Sequence, residues 1–274
     1  MSSTPCARTS RNAKPDTVPY TVTILGSGTS TGVPQIGCSC EVCTSADPRD
    51  KRLRTSAIIS TPRDNNFIID IGPDFRQQIL RQGSPRLDAA LFTHSHYDHV
   101  AGLDDLRPYC KDGSFPIWCE PGVYRYIRQI VPYSFAEHLY PGVPTFVPHE
   151  IESLEPFDIG GDTIVPLRIF HGKLPILGYR IGPVAYITDC SCMPPETIER
   201  LRGVDTLVIN ALQQQPHPSH MSLPEALDII AQIQPRQTYL THLSHHMGLH
   251  AVVSRTLPDN VAIAYDGLSV KAGI

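Results

Sequence analysis

The stretch Thr93–His99 carries the densest set of metal-binding side chains in the sequence. It reads Thr-His-Ser-His-Tyr-Asp-His and therefore holds three imidazoles and one carboxylate. Because side chains alternate faces along an extended segment, His94 and His96 point the same way and can hold one metal ion. Asp98 and His99 come where the backbone turns, so they can face a second position. Histidine with carboxylate suits zinc, manganese or iron, and the pattern indicates a two-metal site.

Residues that follow predicted strands elsewhere in the chain can supply the missing metal ligands of this site. Four predicted strands run directly into such residues, namely His94, His171, Asp189 and His242. Ligands at strand ends are held by a rigid sheet, as a preorganised metal site requires. The alternative is a polar surface loop, or histidines that only cap strand and helix ends, and the three further strand ends weigh against it.

A second candidate site is the cysteine cluster of Cys38, Cys40 and Cys43. The chain has eight cysteines but no hydrophobic signal-peptide core, and clustered cysteines without a secretory signal more often bind metal than form disulfides. A redox-active or merely packed cluster is the alternative. The other five cysteines are scattered and are interpreted as ordinary residues.

Length and composition restrict the class of protein. With 274 residues, 41% of them hydrophobic, the chain can bury a large core without disulfides. The net charge of −4 argues against a general nucleic-acid binder, and no apolar run is long enough to span a bilayer. We therefore expect a cytoplasmic protein without a membrane partner, with homodimerisation left open. Residues 1–18 are predicted to be a disordered tail, a short organelle presequence being the alternative, and residues 19–274 a single domain.

Several local predictions concern the elements around the site. The glycine-rich stretch 26–32 lacks the ending of a P-loop and is interpreted as a tight loop whose amides could face a substrate. A helix is expected from His99 to Leu106, ended by Pro108. The section 121–144 is expected to be a lid or an insertion, and the strands 261–265 and 268–271 are expected to form a closing hairpin.

The motif at His94, His96, Asp98 and His99 resembles the HxHxDH signature of the metallo-β-lactamase fold. The resemblance implies an α/β (α+β) fold, an αββα sandwich of two mixed β-sheets flanked by helices. It also implies two active-site ions, zinc or manganese. One ion would be held by His94, His96 and His171, the other by Asp98, His99 and His242, and Asp189 would bridge both.

A closer similarity is to the phosphodiesterase family of the carbon-phosphorus lyase pathway, whose members resemble phosphoribosyl cyclic phosphate phosphodiesterase. It extends from about Tyr20 to the C-terminus and includes Gly-Cys-Ser-Cys-Glu-Val-Cys at 37–43 and Thr-His-Leu-Ser-His at 241–245. It implies a separate structural zinc held by Cys38, Cys40, Cys43 and His245, with His246 as the competing ligand. Such a set is closed and tetrahedral, as structural zinc sites tend to be.

The same similarity implies roles for three further positions. His220 would enter the active site opposite the metals as a general acid or phosphate contact, with His217 as the second choice, and Asp98 is counted with His220 as catalytic. Asp70 would orient a ligand histidine. Surface arginines that could meet a phosphate are Arg54, Arg76 and Arg107.

These features together predict a dinuclear metal-dependent phosphodiesterase, in which a metal-bridged hydroxide attacks a small, linear or cyclic, phosphodiester. The fold alone does not choose the reaction. The alternatives are a thioesterase, an RNA-processing nuclease, or a non-catalytic zinc protein of the cofactor-biosynthesis branch. A nuclease should carry a basic arm, which is not evident in the sequence. About three bound ions per chain would favour the phosphodiesterase, and about one the non-catalytic protein.

Overall fold

The computed structural model describes residues 18–111 and 113–273, so the predicted tail lies outside the described residues except for Val18. In chain order the strands are β1 (Tyr20–Gly26), β2 (Ser56–Ser60), β3 (Asn66–Ile69), β4 (Ala89–Leu91), β5 (Phe115–Cys119), β6 (Phe146–Glu150), β7 (Phe157–Ile159), β8 (Asp162–His171), β9 (Leu174–Ile181), β10 (Val184–Ile187), β11 (Thr206–Asn210), β12 (Gln237–Thr241), β13 (Val261–Ile263) and β14 (Ser269–Ala272). The α-helices are α1 (Glu41–Thr44), α2 (Phe75–Arg81), α3 (Tyr97–Val100), α4 (Pro121–Ile130), α5 (Pro195–Leu201), α6 (Leu223–Ile233) and α7 (His250–Val253).

The strands form two seven-stranded sheets. The first has the order β14-β1-β2-β3-β4-β5-β6, and the second β13-β12-β11-β10-β9-β8-β7. Each is mixed: β3 to β6 pair in parallel in the first sheet and β10 to β13 in the second, whereas the remaining neighbours pair antiparallel. The predicted sandwich of two mixed sheets flanked by helices is confirmed.

The core has three layers, because each sheet is apolar on both faces. Between the sheets lie fully buried side chains such as Phe67, Tyr179 and Tyr186. Helices cover the outer faces, and α6 shows why they form where they do. Ser222 and Glu225 make a capping box before an apolar stripe that packs on the second sheet. The parallel strands are therefore held by the opposite sheet on one face and by helices on the other.

Two local predictions are wrong. In place of one helix from His99, α3 ends at Val100 and a 3-10 helix, Leu103–Cys110, contains Pro108. Between them the backbone of Gly102 packs against the segment before α2: its N–H donates to the Ile71 carbonyl oxygen at 2.9 Å, and a Cβ there would lie 2.1 Å from the Gly72 carbonyl oxygen. The predicted closing hairpin does not form either, because β13 pairs with β12 in the second sheet and β14 with β1 in the first.

The middle section 121–144 belongs to the packed domain. It begins with α4, which buries Val123 and Ile127 against the outer face of the first sheet. A 3-10 helix, Pro132–Phe135, follows, and Phe135 packs 6.0 Å from the ring of Phe146. No helix in the described part of the chain is long and apolar enough to cross a bilayer.

Candidate metal centres

The ends of four strands bring the predicted ligands to one edge of the sandwich. His94 and Asp189 follow β4 and β10, His171 ends β8, and His242 follows β12. α3 adds Asp98 and His99, whose Nε2 lies 3.2 Å from Asp98 Oδ2. The seven side chains that the sequence assigns to a dinuclear site therefore lie together in the fold.

Asp189 lies between the two parts of this cluster. Its Oδ2 is 3.3 Å from His99 Nε2, and its Oδ1 is 3.1 Å from His242 Nε2. Thr188 Oγ1 donates a hydrogen bond to Oδ2 at 2.6 Å, which fixes the carboxylate plane. Both histidines belong to one expected ligand set, and Asp189 also groups within 4.8 Å with the ligand atoms of His94 and of His171 from the other set, so it lies within reach of both, as a bridging ligand would.

The remaining histidines form the other side of the cluster. His94 Nε2 is 3.0 Å from His96 Nδ1, and the His171 ring lies 5.8 and 5.0 Å from the rings of His94 and His96. The ligand atoms that lie within 4.8 Å of one another form three groups, which differ from the two ligand sets expected from the sequence. These groups are His94, His99 and Asp189; Asp98, His99 and His242; and His171, Asp189 and His220.

Unpaired buried nitrogens show that the cluster fits cations. His99 Nε2 and His242 Nε2 are buried, face carboxylates and make no hydrogen bond within the described chain. Leaving such atoms unsatisfied costs about 1–3 kcal/mol each. Divalent ions would satisfy them, and the mixed histidine and carboxylate donors suit zinc or manganese.

Contacts behind the cluster set which ring nitrogen faces inward. Asp70 accepts hydrogen bonds from the Thr93 backbone N–H and hydroxyl, both at 2.8 Å, and lies 2.7 Å from His99 Nδ1. His171 Nδ1 lies 2.7 Å from the Ser219 carbonyl oxygen and donates to it. With Nδ1 engaged outward, Nε2 of each ring faces the centre, which is the usual arrangement behind metal ligands. Asp70 occupies the orienting position that the sequence suggests.

Backbone conformation also distinguishes the site, and no local sequence pattern signals it. Asp70, Asp189 and His242 have φ values of 60, 57 and 56°, in the left-handed region that non-glycine residues seldom adopt. Each conformation costs about 1–3 kcal/mol. Asp70 and His242 directly follow β3 and β12, and Asp189 follows β10 after one residue, so the left-handed turn redirects each side chain at the end of a strand.

His220 lies beside three residues of the cluster, His171, Asp189 and His242. Its ring is 4.4 Å from that of His171 and 4.8 Å from that of His242, and its Nδ1 is 3.8 Å from Asp189 Oδ1. Burial, together with the charge of His242, lowers the pKa of His220 to about 3. His217 lies farther out, with its ring 5.2 Å from that of His220.

The cysteine cluster forms a second, separate group. The ligand atoms of Cys38, Cys40, Cys43 and His245 lie within 4.8 Å of one another. His245 Nδ1 is 3.4 Å from Cys38 Sγ and 3.3 Å from Cys40 Sγ. The backbone N–H of Cys43 and the side chain of His245 lower the pKa of Cys40 to about 6. The three thiols and one imidazole fit a tetrahedral zinc ion, and the geometry brings in His245 rather than its neighbour His246.

Two other groups that could meet a substrate make contacts within the fold. In the glycine-rich loop, the amides of Ser27, Gly28 and Thr29 donate to Asp266 Oδ1 and to the carbonyls of Leu53 and Leu243, so these three are not available to a substrate. Two candidate phosphate-binding arginines are instead paired within the fold, Arg54 with Asp74 at 2.9 Å and Arg107 with Asp104 at 2.7 Å.

Comparison with known proteins agrees with this geometry. A family model described as a β-lactamase superfamily domain matches residues 65–243. The chain belongs to the β-lactamase superfamily. The crystal structure of a diphosphatase from the PhnP family is 37% identical with a TM-score of 0.86, and the match covers 93% of this chain and 97% of that one. The predicted resemblance to metallo-β-lactamase-fold hydrolases of this kind is confirmed.

Two curated relatives extend the comparison. An octanoyltransferase of Porphyromonas gingivalis is 46% identical over 246 residues, which are 89% of this chain but 50% of the relative. The chain therefore spans half the length of that protein. The coenzyme PQQ synthesis protein B of Methylorubrum populi is 30% identical over 226 residues, 69% of this chain and 72% of the relative. The superfamily and the two residue clusters together indicate a metal-dependent hydrolase.

Proposed function

We propose that the protein is a dinuclear metal-dependent phosphodiesterase that hydrolyses a small, linear or cyclic, phosphodiester. The observation that carries the proposal is the position of Asp189. Its oxygens are 3.3 and 3.1 Å from His99 and His242, in one expected ligand set, and it also groups within 4.8 Å with the ligand atoms of His94 and of His171, in the other set. A carboxylate shared in this way holds two ions close together, which is the arrangement used to clamp a phosphoryl group.

The residues of the cluster would have distinct roles. His94, His96 and His171 would hold one ion, Asp98, His99 and His242 the other, and Asp189 both. When bound, such ions lower the pKa of water to near neutrality and neutralise charge on phosphoryl oxygens. His220 borders the cluster and is buried, so its ring can hold a phosphoryl or leaving-group oxygen in place and keep water out.

Phosphorus chemistry is favoured by the similarity to the PhnP-family diphosphatase, which covers nearly the whole of both chains. The octanoyltransferase name belongs to a protein twice as long as the matched segment. We therefore do not propose thioester hydrolysis, and a thioester serves as a control substrate in the test below. The intact ligand cluster disfavours a non-catalytic zinc protein.

The test is a substrate panel on protein reconstituted with zinc or with manganese. It should include an aryl phosphodiester, a ribose cyclic phosphate, a cyclic nucleotide, an aryl diphosphate ester and octanoyl-coenzyme A. We expect turnover of at least one phosphodiester, and its loss in Asp189→Asn. Hydrolysis of the thioester or diphosphate with none of the phosphodiesters would refute the proposal.

A further inference from the structure

A short stretch of backbone after Asp189 is bonded to the strand that carries another candidate ligand. It comprises residues 190–192, and we call it the 190–192 segment. The Ser191 N–H donates to the Phe170 carbonyl oxygen at 2.8 Å, and the Phe170 N–H donates to the Cys192 carbonyl oxygen at 2.9 Å. Phe170 directly precedes the histidine at the end of β8. The segment therefore links the end of β8 to Asp189.

The first residue of the segment is bonded to the loop that carries His220. The Cys190 carbonyl oxygen accepts a hydrogen bond from the Met221 N–H at 2.8 Å. Met221 directly follows His220 in the chain. A displacement of the 190–192 segment would therefore move the β8 ligand, Asp189 and the His220 loop together.

Asn210 is the buried side chain that holds this segment. It is the last residue of β11 and is fully buried. Its Oδ1 accepts a hydrogen bond from the Cys190 N–H at 2.8 Å, and its Nδ2 donates to the Cys190 carbonyl oxygen at 2.9 Å. One side-chain amide thus bonds both backbone polar groups of the residue that follows the left-handed turn at Asp189.

The turn at Asp189 explains why an amide is needed there. β10 and β11 pair in parallel as far as Ile187 and Ile209, and beyond this pair the chain leaves the ladder. Cys190 is fully buried, and a buried backbone N–H without a partner is costly. An asparagine side chain offers one acceptor and one donor group, so it replaces the hydrogen bonds that a continued strand would have made.

The backbone of Asn210 also adjoins the strand that ends before His242. Asn210 is the register partner of Thr241, and the Ala211 N–H donates to the Thr241 carbonyl oxygen at 3.0 Å. The side chain of Asn210 therefore holds the residue after Asp189, while its backbone lies beside the residue before His242. These two candidate ligands have Oδ1 and Nε2 only 3.1 Å apart.

We propose that Asn210 is a positioning residue of the metal centre, which acts through Cys190 to hold Asp189 against His242. This role rests on the proposed dinuclear centre, but it concerns how ions are held and not which ester is cleaved. Both polar atoms of the Asn210 amide bond the backbone of Cys190, so the side chain acts on the centre through Asp189. A merely structural residue would lower the free energy of unfolding without changing how the folded molecules bind ions.

Two leucine variants separate these roles. Asn210→Leu keeps the branched shape of the side chain but removes both hydrogen bonds to Cys190. Gln78→Leu is the matched control, because Gln78 is also buried and its amide donates to a backbone carbonyl, that of Arg54, at 2.7 Å. Asn210→Ser keeps one hydrogen-bonding group and is the variant to use where Asn210→Leu does not fold.

The experiment titrates cobalt into full-length protein that already holds zinc in the cysteine cluster, at a temperature where every variant is folded. Asn210→Leu should weaken cobalt binding about 10- to 100-fold and alter the visible absorption of the bound cobalt. Asn210→Ser should change both in the same direction but less. Gln78→Leu should leave the affinity within about twofold and the spectrum unchanged, although its melting temperature falls.

The outcome distinguishes this role from the proposed function. A wild-type cobalt affinity and spectrum in folded Asn210→Leu or Asn210→Ser would overturn the positioning role, whatever the loss of stability. An equal loss of cobalt affinity in Gln78→Leu would also overturn it. If the wild-type protein hydrolyses no phosphodiester, the proposed function fails, while the cobalt titration still decides whether Asn210 positions the centre.

Discussion

The histidine–carboxylate cluster and the cysteine cluster are built in opposite ways. The first collects its residues from the ends of β4, β8, β10 and β12, and His99, Asp189 and His242 in it are almost completely buried. The second takes three of its four residues from the short segment 38–43, where Cys38 and Cys40 are half-buried. The sheets position one site, and a loop with a four-residue helix provides most of the other.

The difference shows what each ion would do for the protein. Two packed sheets hold the histidines in place before any ion binds, so ions there contribute mainly chemistry. The cysteine segment has only a small apolar cluster around Val33, Val42 and Leu249 behind it, so an ion there contributes mainly folding free energy. The two sites meet at Leu243, which is buried between His242 and His245 and donates its N–H to the Ser27 carbonyl oxygen at 2.9 Å.

The largest expected effect comes from removing the shared carboxylate. Asp189→Asn should reduce kcat/KM for the phosphodiester by at least about 100-fold, because loss of a supporting partner alone typically costs 10- to 100-fold. Metal analysis should show active-site ions lost and about one zinc retained in the cysteine cluster. Unchanged turnover would show that the two groups around Asp189 do not act as one centre.

A smaller loss is expected when the support behind His99 is weakened. Asp70→Asn removes the charge that accepts from His99 Nδ1 and Thr93, so activity or metal affinity should fall about 10- to 100-fold. Asp162→Asn is the matched control, because Asp162 is also buried and accepts from a threonine, Thr61, at 2.6 Å. The control should lose stability but keep its activity per folded molecule. An equal loss of activity in both variants would contradict an orienting role for Asp70.

The cysteine cluster should respond in the opposite sense. Cys40→Ser should release one zinc ion and lower the melting temperature, by about 2–4 °C for each kcal/mol lost in a domain of this size. Ions at the histidine cluster should remain, and kcat below the melting transition should change less than about threefold, because strands hold that site. Calorimetry and metal analysis on the same sample would measure both. Loss of all the ions together would show that the two sites are tightly coupled.

The sequence predicts those features of the two sites that are encoded in neighbouring residues, and it misses those that depend on the tertiary fold. The HxHxDH segment and the cysteine spacing are encoded in adjacent residues, and the sequence predicts both directly. The left-handed conformations of Asp70, Asp189 and His242 depend on where parallel strands end against the opposite sheet, which no local pattern reports. The same holds for β14, which joins the first sheet across the sandwich. Only the family resemblance places His220 near the site, because its loop has no metal-binding pattern.

The smallest expected effect concerns the reactivity of the thiols in metal-free protein, and it tests the cysteine cluster most directly. The Cys43 backbone N–H and the His245 side chain lower the pKa of Cys40 to about 6, whereas burial raises that of Cys43 to about 11. A lowered pKa means that the thiolate predominates above pH 6, so Cys40 should be alkylated at a rate that levels off by neutral pH. Cys43 should react slowly until the solution is strongly alkaline, and zinc should protect both.

Mass spectrometry of peptides after timed iodoacetamide treatment would give the two profiles. A Cys40 rate that rises only near the ordinary thiol pKa of about 8.5 would mean that the cluster is not formed without its ion, in contrast to the histidine site.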